Sequence, residues 1–155
     1  MRSFFAIALF TSLVPACADD GNGDDPVDCA RETSDDEFVI GLSKSGENGL
    51  YTFTMTSFSP APPARLLNEW QMSIMSTTAP AAPLAATETL AMTPYMPQHG
   101  HGAGIDVEIA PMQTAGEFKF STINLHMPGI WEVTVEVDPG EANYDKVVFK
   151  PCIPE

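Results

Sequence analysis

Five side chains carry the chemistry available to this chain: Met96, His99, His101, His126 and Met127. Thioether sulfur and imidazole nitrogen form a soft-to-borderline ligand set that suits copper. Cu(I) fits best, while added nitrogens or water suit Cu(II). Three of the five lie in a thirteen-residue stretch, Met92–Gly104, which holds two of the three histidines, two methionines, two prolines and three glycines. His126 and Met127 open a smaller echo, His126-Met-Pro-Gly129. Gly100 and Gly102 follow His99 and His101, and their backbone freedom lets the imidazoles turn inward or chelate as a pair. Zinc stays open through the histidines, although it rarely takes methionine. The plain alternative is a pair of Gly/Pro turns joining strands, with solvated histidines and with Met96 and Met127 plugging the end of a core.

The elements that must position these residues read as strands. Leu50–Phe58 alternates, with Leu50, Phe53, Met55 and Phe58 as anchors. In Asn68–Thr77, Trp70, Met72 and Ile74 fall at spacing two and share a face. Further strands are expected over 38–42, 87–92, 105–110, 117–123, 130–137 and 144–150. Ile105, Val107 and Ile109, then Phe118 and Phe120, then Trp131, Val133, Val135 and Val137 should point inward. Turn-forming Gly, Pro, Asn and Ser separate these runs, and no amphipathic helix interrupts them. The expected fold is all-β: an immunoglobulin-like antiparallel β-sandwich of about seven strands.

Strand direction constrains the histidines. If 87–92, 105–110, 117–123 and 130–137 run successively antiparallel, the Met92–Gly104 loop and the His126–Gly129 turn emerge at one end. The 111–116 turn, with Met112, falls at the other. The candidate ligands therefore converge, with one restriction. His126 and Met127 are neighbours, and neighbours on a strand point to opposite faces, so only one of them serves. Met92 is expected in the core.

The N-terminus carries an address. Arg2 precedes an almost wholly apolar run, Phe4–Val14, followed by Pro15-Ala16-Cys17. This is the pattern of a removable signal peptide, and the run is shorter than the ~20 apolar residues that a spanning helix needs. Leu13-Val-Pro-Ala-Cys17 resembles a bacterial lipobox. That resemblance implies cleavage after residue 16 and lipidation of Cys17, which would hang the chain from an envelope membrane, periplasm-facing or at the outer surface. Residues 17–37 are expected to be an acidic flexible tether. Nine of the 21 acidic residues lie between Asp19 and Glu37, and the segment has no hydrophobic periodicity. It lacks the order of an EF-hand loop. The folded domain is then 38–155. With Cys17 lipidated, Cys29 and Cys152 remain, and an exported setting permits a disulfide that staples the two ends of the domain.

A formal net charge of −14 and scattered basic residues exclude a nucleic-acid footprint. There is no Gly-x-Ser-x-Gly elbow or phosphate loop, and a Cys29–Cys152 bridge leaves no free nucleophilic thiol in the domain. An enzyme is not expected.

Over Asn68–Val148 the chain resembles the YtkA-like domain family, relatives of the FixH-like proteins. The resemblance rests on Met96-Pro-Gln-His-Gly-His-Gly102, on Gly116-Glu-Phe118 opening a strand, and on Met127-Pro-Gly-Ile-Trp131. In that family these read as a Met-Pro-x-His-Gly-His-Gly loop and a Met-x-Gly-x-Trp turn entering the last long strand. The resemblance implies an immunoglobulin-like sandwich in the bacterial envelope, with links to copper handling. Two functions follow as expectations. One is a lipid-anchored copper carrier, chaperone or sensor. The other is a metal-free interaction or structural module that contacts another envelope protein.

Overall fold

A computed structural model describes residues 28–33 and 35–155 of the chain. The expected signal peptide (1–16) and the lipidation site Cys17 lie outside the described residues. Among the described residues there are eleven strands and no helix. Four strands are only two or three residues long: β1 (Ser43–Ser45), β5 (His101–Gly102), β8 (Gly129–Ile130) and β11 (Cys152–Ile153). The other seven form the frame: β2 (Tyr51–Ser59), β3 (Leu66–Ser76), β4 (Leu90–Met96), β6 (Glu108–Pro111), β7 (Glu117–Leu125), β9 (Glu132–Val137) and β10 (Asp145–Phe149).

All pairings are antiparallel. One sheet has the order β1-β2-β3-β7-β6, a second β10-β9-β4-β5, and a two-stranded ribbon joins β11 to β8. The alternating residues of both large sheets meet in one core. Phe53, Met55, Trp70, Met72, Ile74, Phe118 and Phe120 come from the first sheet, and Met92, Val133, Val135, Val137, Val147 and Phe149 from the second. This is an antiparallel β-sandwich, two sheets closing over a shared apolar layer.

Two bulges explain why some anchors are three apart rather than two. In β2 the register shifts between Met55 and Ser57, so Met55 and Phe58 both reach the core side. In β7 two residues, Ser121 and Thr122, oppose the single Glu69. Thr122 takes φ +59°, and Phe120 and Ile123 are both fully buried. An extra residue reverses the pleat and keeps the apolar set on one face.

The structure departs from the sequence reading in several places. Residues 38–42 are not a strand. Gly41 turns the chain at φ +93°, Ile40 is exposed, and pairing begins at β1, where a turn was expected. Ile105 points to solvent rather than inward, and of the expected 105–110 strand only residues 108–110 pair, with the pairing running on to Pro111. The strand placed at 87–92 runs instead as β4 to Met96, passing through Pro94. β5 pairs only with Tyr95 and Met96, so at Pro94 one flank of β4 is an edge, where the missing N–H costs no ladder bond. The expected strand 130–137 is split at Trp131. Gly129–Ile130 pairs with β11, and Glu132–Val137 pairs with β4 and β10.

The Cys29–Cys152 disulfide is present, with Cα atoms 5.6 Å apart and a sequence separation of 123. A closed loop of that length removes unfolded-state entropy worth about 4–5 kcal/mol in the chain-entropy account. The segment read as tether is bound to the sandwich at Asp36. Its carboxylate accepts from Lys44 Nζ at 2.7 Å and from the Lys150 N–H at 2.7 Å, and its own N–H donates to the Lys150 carbonyl at 2.8 Å. Phe38 then packs on Trp70, with ring centres 5.2 Å apart.

Candidate metal centre

The first loop is a tight hairpin built on Met96. The carbonyl of Met96 accepts from the N–H groups of His99 (3.2 Å) and Gly100 (2.9 Å), and Gly100 makes the turn with φ +68°. The chain then returns as β5, with His101 directly opposite Met96 and Gly102 opposite Tyr95. Directly opposed residues of an antiparallel pair share a face, with Cβ atoms about 4.5–5.5 Å apart. Met96 is fully buried, so His101 turns toward the same interior and is half-buried, while His99 at the tip is exposed.

The second loop leaves β7 at Leu125. Gly129, at φ +126°, lets it fold over Met96. The Met96 methyl group fills the place a Cβ on Gly129 would need, so a side chain there would displace the methionine. Met96 therefore touches both loops. Its own carbonyl folds the first, and its methyl seats the second.

Three imidazoles meet at this junction. Ring centres are 5.8 Å apart for His99 and His101, and 5.4 Å apart for His101 and His126. The direction argument from the sequence is realised: both His/Met segments emerge at one end of the sandwich. Met112 lies at the other end, in the β6–β7 connection, where a cavity lined by Pro83, Leu84 and Gly116 adjoins it. Two imidazoles that share one ion at about 2 Å from each nitrogen have ring centres about 5–6 Å apart, so the spacing fits a common ion. The orientation is less advanced. His101 and His126 lie nearly parallel, at 20°, and among the described residues no group of three His, Cys, Asp or Glu side chains is set as a ready-made metal site. Gathering three nitrogens requires side-chain rotation, which is easiest at the exposed His99.

The hydrogen bonding of two of the rings bears on coordination. His101 Nδ1 lies 3.0 Å from the Gly102 carbonyl. A carbonyl only accepts, so Nδ1 donates there, and in the neutral form of the ring the lone pair is on Nε2. His126 Nδ1 is buried with no hydrogen-bond partner among the described residues. A buried nitrogen left unpaired costs free energy, and a ligand would remove that cost.

No protein-family model, curated protein or solved structure matches the chain.

Met127 takes a different role from its neighbour. Its side chain packs against the core, and its carbonyl accepts the indole N–H of Trp131 at 3.0 Å. Trp131 stands edge-to-face against His126 at 5.4 Å and against His101 at 6.3 Å. The sequence marked Trp131 as core and as the end of the Met127–Trp131 motif, without a partner for its indole nitrogen. Its spacing of four from Met127 was the available signal that its indole nitrogen closes the second loop. Arg65 counted only among the scattered basic residues, and its guanidinium donates to the His126 carbonyl at 3.3 Å.

Proposed function

We propose that this chain is a lipid-anchored protein of the bacterial envelope whose His/Met end binds copper, serving as a carrier, chaperone or sensor. The observation that carries the reading is the meeting of His99, His101 and His126, from two loops, beside the buried Met96. Imidazole and thioether together favour Cu(I) over harder cations. In this reading His101 and His126 are the inner ligands, His99 swings in from the hairpin tip, and Met96 supplies sulfur from the core side. Met127, packed against the core, is the weakest candidate. A bound copper ion would supply a site for one-electron chemistry or for transfer to another ligand set. The protein's part is to hold neutral donors at the edge of an apolar layer.

The YtkA-like assignment rests on the Met96–Gly102 and Met127–Trp131 motifs. The envelope address rests on Phe4–Val14 and Cys17, and the disulfide suits an oxidising compartment. The competing reading is a metal-free immunoglobulin-like module that contacts another envelope protein. It draws on the nearly parallel His101 and His126 rings, an arrangement that histidines adopt without any metal.

A Cu(I) titration of the purified protein separates the two. The copper reading expects about one equivalent to bind to wild type, and binding to be abolished in a His99→Ala/His101→Ala variant. Absence of binding in wild type, or equal binding in the variant, would sink it.

A further inference from the structure

The disulfide and the imidazole junction are joined by one short ribbon. In β11, Cys152 is opposite Ile130 and Ile153 is opposite Gly129. The Pro151 carbonyl accepts the backbone N–H of Trp131 at 3.0 Å. Residues 151–153 thus hold the backbone of residues 129–131. That is the segment whose Gly129 receives the Met96 methyl and whose Trp131 stands against His101 and His126. Among the described residues, β8 has no other strand partner. A two-residue ribbon is weak by itself. Two things hold β11 down: the buried Ile153 side chain and the bond from Cys152 to Cys29.

We propose that the Cys29–Cys152 bridge is a positioning element of the metal site. Closed, it keeps β11 on β8 and so keeps the His126 loop seated on Met96. Opened, it lets the ribbon loosen, and the site holds its ion less tightly. This rests on the copper reading above. Opening needs a dithiol reductant. One of its thiolates attacks a bridge sulfur to give a mixed disulfide, and its second thiol displaces the protein. Two electrons and two protons pass to the bridge, leaving two protein thiols and one disulfide on the reductant. The sulfurs can be reached. Cys29 and Cys152 are half-buried and line a surface cavity of about 230 Å³ together with Asp35 and Glu37.

The test uses the full chain in a Cys17→Ser background, so that no free thiol adds a ligand. Wild type with the bridge closed, Cys29→Ser/Cys152→Ser, and Ile153→Ala with the bridge closed are compared. Cu(I) affinity is measured by competition with a chelator, and exchange of the Trp131 amide is measured without metal. Far-UV circular dichroism reports the fold. Removing an outer support of a metal site typically weakens binding by about 10–100-fold, which is the loss expected for the serine pair. Its Trp131 amide should also exchange at least about tenfold faster. A folded serine pair with wild-type affinity and wild-type exchange overturns the proposal. If the serine pair does not fold, Ile153→Ala decides: weaker binding with faster exchange supports the coupling, and no change in either overturns it. Failure of bridged wild type to bind copper would remove the copper reading alone, and Trp131 exchange would still decide whether the bridge braces the loop.

Discussion

The sandwich contains two fully buried tryptophans, and their surroundings differ. Trp70 sits in an apolar aromatic cluster with Phe38 at 5.2 Å and Phe149 at 6.4 Å, and its indole N–H has no partner among the described residues. Trp131 sits at the end of the core, edge-on to two imidazoles, with its N–H given to the Met127 carbonyl. Trp70 fills space between the sheets. Trp131 does that and also fastens the loop that carries His126. The difference shows how one residue type serves packing in one place and site construction in another, according to what its polar atom meets.

The contrast can be broken by matched substitutions. Trp70→Phe removes a buried N–H that has no partner, so its cost is confined to lost packing. Trp131→Phe loses similar packing and also strands the Met127 carbonyl, an added cost of about 1 kcal/mol. Urea unfolding should therefore rank Trp131→Phe as the less stable variant, and only that variant should lose copper affinity. Equal stabilities and equal affinities would erase the distinction.

A smaller effect sharpens the contrast between the two ends of the sandwich. Met112 lies on the turn opposite the imidazoles, so Met112→Leu should leave Cu(I) affinity within about a factor of two, the usual limit for distant, independent sites. A larger change would mean that the methionine at the far end takes part.

The smallest effect concerns charge rather than the site. The Glu88 carboxyl is held above the usual carboxylate range by its hydrogen bond with Asp138, with the Asp138 charge and burial adding to the shift. A raised carboxyl binds its proton more tightly in the folded state. That contribution is fully present below the unfolded value and is lost as pH rises through the folded one. Glu88→Gln should therefore flatten the fall in thermal stability across that acid window and leave the protein slightly more stable than wild type at neutral pH. A melting-temperature series against pH reads both.

Much of the frame was legible in the sequence because period two is a strong signal when one face is buried. Trp70, Met72 and Ile74, and likewise Val133, Val135 and Val137, are buried as their alternation requires. The Cys29–Cys152 pairing followed from reading Cys17 as the lipidation site, which leaves two cysteines, and the bridge is present. What was not legible depended on partners far along the chain. Nothing local shows that Ile105 lacks a strand to pair with, or that Trp131 marks a change from β11 to β4 and β10. Residues 38–42 look like a strand because they are apolar, yet Phe38 is used to plug the aromatic cluster while Ile40 faces solvent. At the candidate site, strand direction was enough to bring the two loops together. The contact of Met96 with Gly129 was not deducible, because it depends on the fold of the second loop rather than on its composition.

The central claim is that the segments 97–101 and 126–129 place imidazole nitrogens and the Met96 sulfur around one copper ion. X-ray absorption at the copper edge of the Cu(I)-loaded full chain, in the Cys17→Ser background, tests this most directly. The expected result is a mixed shell of nitrogen and sulfur that loses a nitrogen in His126→Ala and loses its sulfur in Met96→Leu. A shell of oxygen alone, or one unchanged by both substitutions, would contradict the account.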